Sequence, residues 1–363
     1  MIIQDIIKEL EIWAPPALQE SYDNSGLLVG DKSSSLSGCL VTLDVTESVI
    51  DEAIGLGFNL IIAHHPLIFS GLKKLTGSNY IQRAVIKAIK NDIAIYALHT
   101  NLDHVRWGVN RRIGQLLGLD NLKVLAPKPN QLLQLTVFAP QTISAVIRQA
   151  MCDAGAGHIG EYKDCSFTST GVGRFTPTGE AQPAIGRLQI AEDVIEDKIE
   201  VILPRWKRTE VLEAAKKHHI YEELAYYEVE LLNTSGDFGS GMFGEWPEPK
   251  SLEKSLELIK KTFGGVIRFT KDNGMQVKRV AFCGGSGSFL LPQAVASKAD
   301  LFITSDFKYH QFFDADRQIV VADVGHFEIE QFTSQLIVDH LSQKFTTFAP
   351  QISAVNTNPV GYY

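Results

Sequence analysis

Three short segments, far apart in the 363-residue chain, bring together histidine and carboxylate side chains without a thiolate. The first is His64-His65-Pro66, directly after the apolar run 59–63. Neighbouring residues at the end of a strand point in different directions, so two adjacent imidazoles there suit two nearby ions better than one. A pair of hydrogen-bonded turn histidines is the competing reading. The second segment, His99-Thr-Asn-Leu-Asp103-His104, follows the apolar run 93–98. Asp103 has two oxygens with which to bridge two divalent cations and to offset charge that neutral imidazoles cannot; capping the following helix is its alternative role. The third, Asp323-Val-Gly-His326-Phe-Glu328-Ile-Glu330, follows the run 317–322. A helix starting near Gly325 places His326 and Glu330 on one face, because they are four residues apart. An acidic helix start accounts for Glu328 through the macrodipole, but not for the histidine beside it. Such mixed nitrogen and oxygen ligands suit divalent Zn, Fe, Mn, Co or Ni, and do not select among them.

Two further segments also follow strand-like runs. In Phe282-Cys-Gly-Gly-Ser-Gly-Ser288 the backbone N–H groups are placed either to cradle a phosphate or simply to make a tight turn; the pattern is neither a P-loop nor a full dinucleotide fingerprint. In Thr304-Ser-Asp306-Phe-Lys-Tyr-His310, Asp306 and His310 are candidates for orienting metal ligands or moving protons, with a plain helix cap as the other role for Asp306.

The elements that must position these residues alternate. Residues 2–12 carry the spacing of an amphipathic helix; then 38–43 reads as strand, 47–55 as helix, 59–63 as buried strand, 80–90 as helix and 93–98 as strand. This order implies a layered, largely parallel sheet. The prolines 127 and 129 mark a linker. From 131 to 233 the order is strand 132–138, helix 143–154, a Gly-rich stretch, strands 185–190 and 198–204, helix 209–218 and strand 225–231, a ferredoxin-like βαββαβ unit. After the Gly-rich 236–244, the helix 252–263 and strands 265–269, 277–282, 301–304 and 319–322 resume the first pattern. The expectation is one α/β domain built from residues 1–130 and 234–363, interrupted by an inserted α+β module at 131–233.

Bulk properties narrow the class. With 45% hydrophobic and 21% charged residues the chain is of ordinary globular composition. Cys39, Cys152, Cys165 and Cys283 form no CxxC pair, which fits neither a disulfide framework nor a thiolate zinc site. A net charge of -8 opposes nucleic acid as a partner. No apolar run approaches the ~20 residues of a membrane helix and the N-terminus carries acidic residues, so a cytoplasmic protein is expected.

Tyr22-Asp-Asn-Ser-Gly-Leu27, Thr42-Leu-Asp-Val-Thr46, His64-His-Pro-Leu-Ile-Phe69, His99-Thr-Asn-Leu-Asp103, Gly284-Gly-Ser-Gly287 and Gly325-His-Phe-Glu-Ile-Glu330 resemble the successive signatures of the Nif-three-like dinuclear metal proteins, a family that also carries the label GTP cyclohydrolase I type 2 homologue. The resemblance implies two divalent ions per subunit held by His64, His65, Asp103, His326 and Glu330, with His99, Asp306 and His310 around them. It implies that 131–233 is the inserted domain, similar to the PII and CutA folds, that longer members carry. It further implies a homohexamer, a toroidal trimer of dimers. Tyr22 stands where the family often has Trp, and Ser305 where Gly is frequent, which bears on pocket shape and not on a proposed ligand.

Two functions follow as expectations. One is a metal-dependent hydrolase acting on a nucleotide or another phosphate-containing small molecule, with His99, Asp306 or His310 managing protons. The other is a metal-binding regulatory or adaptor protein whose insertion senses a small molecule or a partner; the Gly-rich stretch 155–173, with His158 and Glu161, is either the lining of its pocket or a flexible surface loop. DNA threading through a toroid is disfavoured by the acidic charge.

Overall fold

The computed structural model describes residues 1–271, 274 and 276–363. It divides into two compact units, one made of Met1–Ala126 with Asp237–Tyr363 and the other of Pro127–Gly236. The chain opens with the helix Ile3–Trp13, which buries Ile3, Ile6, Ile7 and Leu10 as one stripe. Each such side chain contributes about 1.5–3 kcal/mol when fully buried, enough to fix the N-terminal segment to the core.

Four short strands follow: β1 Gly26–Val29, β2 Cys39–Thr42, β3 Leu60–Ala63 and β4 Ala94–Ala97. Helices Glu47–Leu56 and Tyr80–Lys90 carry the chain back between β2, β3 and β4, which are therefore parallel, with Thr42 opposite Ala63 and Ala63 opposite Ala97. All three are buried along their length, the signature of a parallel sheet covered on both faces. Thr46 caps the helix Glu47–Leu56 by accepting a hydrogen bond from the Val49 N–H, and Gly57 ends it at φ 70°. β5, Asp120–Pro127, closes the first half of the unit.

In the second unit, β6 Leu132–Pro140, helix Gln141–Asp153, β7 Ser166–Phe175, β8 Glu192–Pro204, helix Arg208–His218 and β9 Tyr226–Glu230 follow in order. The sheet order is β7-β8-β6-β9 with every neighbouring pair antiparallel, the arrangement of a βαββαβ unit. Leu133, Leu135, Val137, Ile199 and Val201 pack on Ile147, Met151, Val211 and Ala215 of the two helices. The strand expected at 185–190 is absent: those residues form a loop, and the second strand is Ser166–Phe175. That segment is polar, Gly-containing and exposed, so it is held by cross-strand pairing with β8 rather than by a buried face, and its composition reads as loop.

The first unit then resumes with β10 Gly239–Ser251, helix Leu252–Phe263, β11 Arg268–Phe269, β12 Gln276–Ser286, β13 Leu301–Ser305, β14 Val320–Asp323, helices His326–Glu330 and Thr333–Lys344, and β15 Gln351–Ile352. Its strands form two sheets rather than one, β1-β4-β3-β2-β15 and β11-β14-β13-β12-β10-β5. β12, β13 and β14 are parallel, whereas β10 and β11 flank them antiparallel. β15 pairs with β2, so residues from the end of the sequence complete the sheet begun near its start. Among the described residues no helix is long and apolar enough to cross a membrane.

Candidate metal centre

The carboxyl ends of β3 and β4 in one sheet, and of β13 and β14 in the other, carry the histidine and carboxylate residues singled out in the sequence. In open α/β sheets ligands bind at such edges. His64 and His65 leave β3 while their backbone N–H groups still donate to the Thr42 and Leu43 carbonyls, at 3.2 and 2.9 Å. The backbone is thus held by β2, and the two rings turn to different partners.

His64 is fully buried, and its Nδ1 donates to the Leu98 carbonyl at 2.7 Å. A carbonyl only accepts, so Nε2 carries the lone pair of the neutral ring. That nitrogen lies 3.7 Å from Oε1 of Glu330 and 3.8 Å from Oδ1 of Asp103. Both His64 Nε2 and Asp103 Oδ1 are buried without a hydrogen-bond partner. An orphaned buried polar atom ordinarily costs about 1–3 kcal/mol.

His65 and His326 are arranged alike. Nδ1 of His65 donates to Asp44 Oδ1 at 2.7 Å, and Nδ1 of His326 donates to Asp306 Oδ2 at 2.7 Å. Each Nε2 lies 3.0 Å from Oε2 of Glu330, and the two nitrogens are 3.3 Å apart. The helix His326–Glu330 sets its first and last residues four apart on one face. Glu330 therefore divides its partners: Oε1 faces His64, whose Nε2 is also near Asp103, and Oε2 lies more closely between His65 and His326.

His99 stands at the end of β4, with ring centroids 5.5 Å from His64 and 5.6 Å from His65. Its Nδ1 donates to Asp23 Oδ1 at 2.6 Å, and Asp23 also accepts from the Thr100 backbone and hydroxyl. Burial would raise the Asp23 carboxyl, but the hydrogen bonds from His99 and Thr100 outweigh it and lower the pKa to about 2. Asp103 does not cap the helix Val109–Leu116; it ends the one-turn helix Thr100–Asp103. Asn101 pins that turn by donating to the Ala14 carbonyl and accepting from the His99 N–H.

The protonation pattern follows from this crowding. Burial pushes the Asp103 carboxyl up to about 8, and the Glu330 charge adds to the effect. Burial would also raise Glu330, but the charge and hydrogen bond of His326 beside it outweigh burial and hold that carboxyl well below the usual range. For His65, burial lowers the pKa and the hydrogen bonds to Asp44 and Glu330 more than restore it, to about 9. His326 is raised by Glu330 and Asp306 in the same way, against its burial, to about 11.

The Gly-rich segment at the end of β12 backs the cluster. A Cβ on Gly285, whose φ is 61°, would stand 2.5 Å from Glu330 Oε1 and 3.2 Å from His326 Nε2. The sequence offered a phosphate cradle or a plain tight turn; in the structure Gly285 makes room for the Glu330 carboxylate. Asp306 sits at φ 61°, a left-handed position, and serves as the acceptor that fixes His326. His310 is not brought into the cluster: it lies exposed on the turn Tyr309–Ala315, its ring against Tyr309 and Phe313.

Several residues of the site escape a reading by type and spacing. Asp44 follows β2 as a lone carboxylate, Asp23 lies in a loop, and Thr357, whose hydroxyl donates to Asp44 Oδ2 at 2.8 Å, comes from the far end of the chain. Asn110 joins the two halves by donating to the Asp103 carbonyl and accepting from the Gly284 N–H. Only Asp44 carried a usable signal, a carboxylate just past a strand's carboxyl end.

His64, His65 and Glu330 meet as a group able to hold a metal ion. Comparison with known proteins gives this arrangement a family. The chain is 38% identical to a protein of Halalkalibacterium halodurans named GTP cyclohydrolase 1 type 2 homolog, over 98% of this chain and 97% of that one. A Bacillus subtilis protein of the same name is 35% identical, with the same coverage. The crystal structure of a Bacillus cereus protein related to NIF3 superposes with a TM-score of 0.89 at 36% identity, covering 100% of this chain and 99% of the other. A model of the family described as Duf34/NIF3 (NGG1p interacting factor 3) matches residues 1–359, and the chain belongs to that family.

Proposed function

We propose that the cluster holds two divalent cations and that the protein is a metal-dependent hydrolase of a nucleotide or other phosphate-containing small molecule. The observation that carries this reading is the division of partners around Glu330. Oε2 forms a triangle with His65 and His326 whose edges are 3.0, 3.0 and 3.3 Å. Two nitrogen ligands at ~2.1 Å from one ion are about 3.0–3.4 Å apart. Oε1 faces His64, whose Nε2 is also 3.8 Å from Asp103 Oδ1, and the buried, unpartnered atoms of that His64–Asp103 pair are explained by a second cation. His64, His65, Asp103, His326 and Glu330 are the five ligands in this reading, and the chemistry of the set leaves Zn, Fe, Mn, Co and Ni all eligible.

Bound there, a pair of divalent ions supplies Lewis acidity and lowers the pKa of water. The chain's own contribution is orientation. Leu98, Asp44 and Asp306 fix the imidazoles at Nδ1 and so aim each Nε2 at the centre. His99, fixed at Nδ1 by Asp23, is placed to take or give a proton at Nε2. Beside the cluster lies a cleft of about 470 Å³, lined in part by Asp44, His65, Arg268 and His326. That volume suits a small molecule. Arg268, 57% exposed and paired with the buried Asp323, offers guanidinium N–H groups to a phosphate at its rim.

Purification without chelator, elemental analysis and a panel of nucleotides and phosphoesters test the reading. About two metals per chain, turnover that needs them, and loss of metal in Asp103→Ala and Glu330→Ala with the fold retained are the expected results. Full metal content in either variant would remove the ligand set. Two metals without turnover on any compound would favour the second reading, a metal-binding regulatory protein with a PII- or CutA-like sensing insertion. The family resemblance further supports, as proposals, a cytoplasmic location and a homohexamer; light scattering of the same sample checks the latter, and a monomeric mass would exclude it.

A further inference from the structure

The insertion carries a pocket of its own, independent of the metal cluster. The helices Gln141–Asp153 and Arg208–His218 cover one face of its sheet, packing on Leu133, Leu135, Val137, Ile199 and Val201. Residues two apart along a strand share a face, so Phe138 of β6 and Glu196 of β8 stand on the other. The loop after β7 folds over that face, and its Gln182 N–H donates to Glu222 at 3.0 Å. Beneath it is a cavity of about 480 Å³, walled by Phe138, Phe175, Tyr221 and Tyr227. The rings form two pairs, Phe138 with Tyr227 at 5.2 Å and Phe175 with Tyr221 at 5.9 Å between centroids.

Into this aromatic pocket the fold places a carboxylate. Glu196 lines the cavity and is only 9% exposed. Among the described residues no lysine or arginine forms an ion pair with it. His219 does not supply the missing charge. Its Nε2 donates to the Phe138 carbonyl and its Nδ1 accepts from the Tyr221 N–H, which is the neutral tautomer. The Tyr221 hydroxyl is buried beside Glu196, a neutral group that brings the carboxylate no compensating charge. Space for the carboxylate comes from Gly173, where a Cβ would stand 2.1 Å from Glu196 Oε2. A buried charge is costly unless something pairs with it, and aromatic faces attract cations.

We propose that this pocket binds a small organic cation, an ammonium or guanidinium compound, whose charge meets Glu196 and whose carbon-bearing face stacks on the four rings. The Gly-rich stretch 155–173 forms little of it: His158 and Glu161 stand exposed, and the walls come from β6, β7, the loop 176–185, Glu196 of β8 and the segment 221–227, with Arg174 at the rim paired to Asp193 and turned largely to solvent.

Calorimetric titration of the full-length protein with choline, tetramethylammonium and agmatine tests this, with 3,3-dimethylbutan-1-ol as the uncharged counterpart of choline. Saturable binding of at least one cation is expected, with choline against agmatine separating quaternary ammonium from guanidinium recognition. Glu196→Gln should weaken that binding roughly tenfold or more and Tyr221→Phe should weaken it less, with circular dichroism and metal content unchanged. Equal affinity for the alcohol and choline, unchanged affinity in Glu196→Gln, or no saturation by any of the three cations would overturn the proposal. Because the pocket shares no residue with the metal cluster, these titrations and the metal analysis fail separately.

Discussion

Glu330 is the residue on which the cluster turns, and its position depends on an absence of atoms next to it. Gly285→Ala would set a methyl group 2.5 Å from its Oε1 and place alanine at φ 61°. The expected outcome is a stability loss of about 1–3 kcal/mol together with reduced bound metal, measured by denaturant unfolding and elemental analysis. Protons offer a second handle. In the metal-free protein His65 has a folded pKa of about 9, above its unfolded value, so folding favours the protonated ring and that stability is lost as pH rises through about 9. Asp103, raised to about 8, acts in the same direction, since the folded state holds its proton to higher pH than the unfolded chain does. The metal-free protein should therefore lose thermal stability from about pH 6 to 9, whereas metal affinity should rise over the same range as the ligands shed protons. Calorimetry in buffers of different ionisation enthalpy reads the released protons, and a pH-independent affinity would contradict the assignment. The five proposed ligands were legible by residue type and position after apolar runs. Asp23, Asp44 and Thr357 were not assigned a role, because an acceptor that orients a ring is defined by contact, and a hydroxyl 313 positions from its partner leaves no local pattern.

At the scale of elements, short strands buried on both faces announce themselves as unbroken apolar runs, which is why β2, β3, β4, β13 and β14 were readable. β7 and the start of β10 fell within stretches read only as Gly-rich, because neither carries an unbroken apolar run. The division of the first unit into two sheets was equally hidden, since alternation of strand and helix fixes connection and not which strands pair. The segment 351–363 also carries more than its composition suggests. Its β15 pairs with β2, Ser353 bonds to Glu52, Thr357 to Asp44 and Asn358 to Glu328. Deleting residues 351–363 should expose the edge of β2 and release Asp44 from one partner. A lower melting temperature and weaker metal binding are expected, whereas Thr357→Val should lower metal affinity with a much smaller change in melting temperature.

Across the whole chain, the five residues of the cluster belong to the unit formed by Met1–Ala126 and Asp237–Tyr363. Within that unit β5 and β10 are neighbours, and Leu125 lies against Gly241. A short Gly/Ser linker in place of residues 127–236 should therefore leave bound metal unchanged while removing the aromatic pocket; loss of metal from a folded variant would show that the insertion contributes to the site. The division also sets an order of events during synthesis. His65 and Glu330 lie 265 positions apart, and at ~5–20 residues per second the histidine leaves the ribosome roughly 13–50 s before the carboxylate that meets it. A nascent chain thus carries His64, His65 and Asp103 well before the acid whose two oxygens both sides of the cluster share. A chain that stops short of residue 326 lacks two of the five groups, so a filled centre certifies that translation passed residue 330.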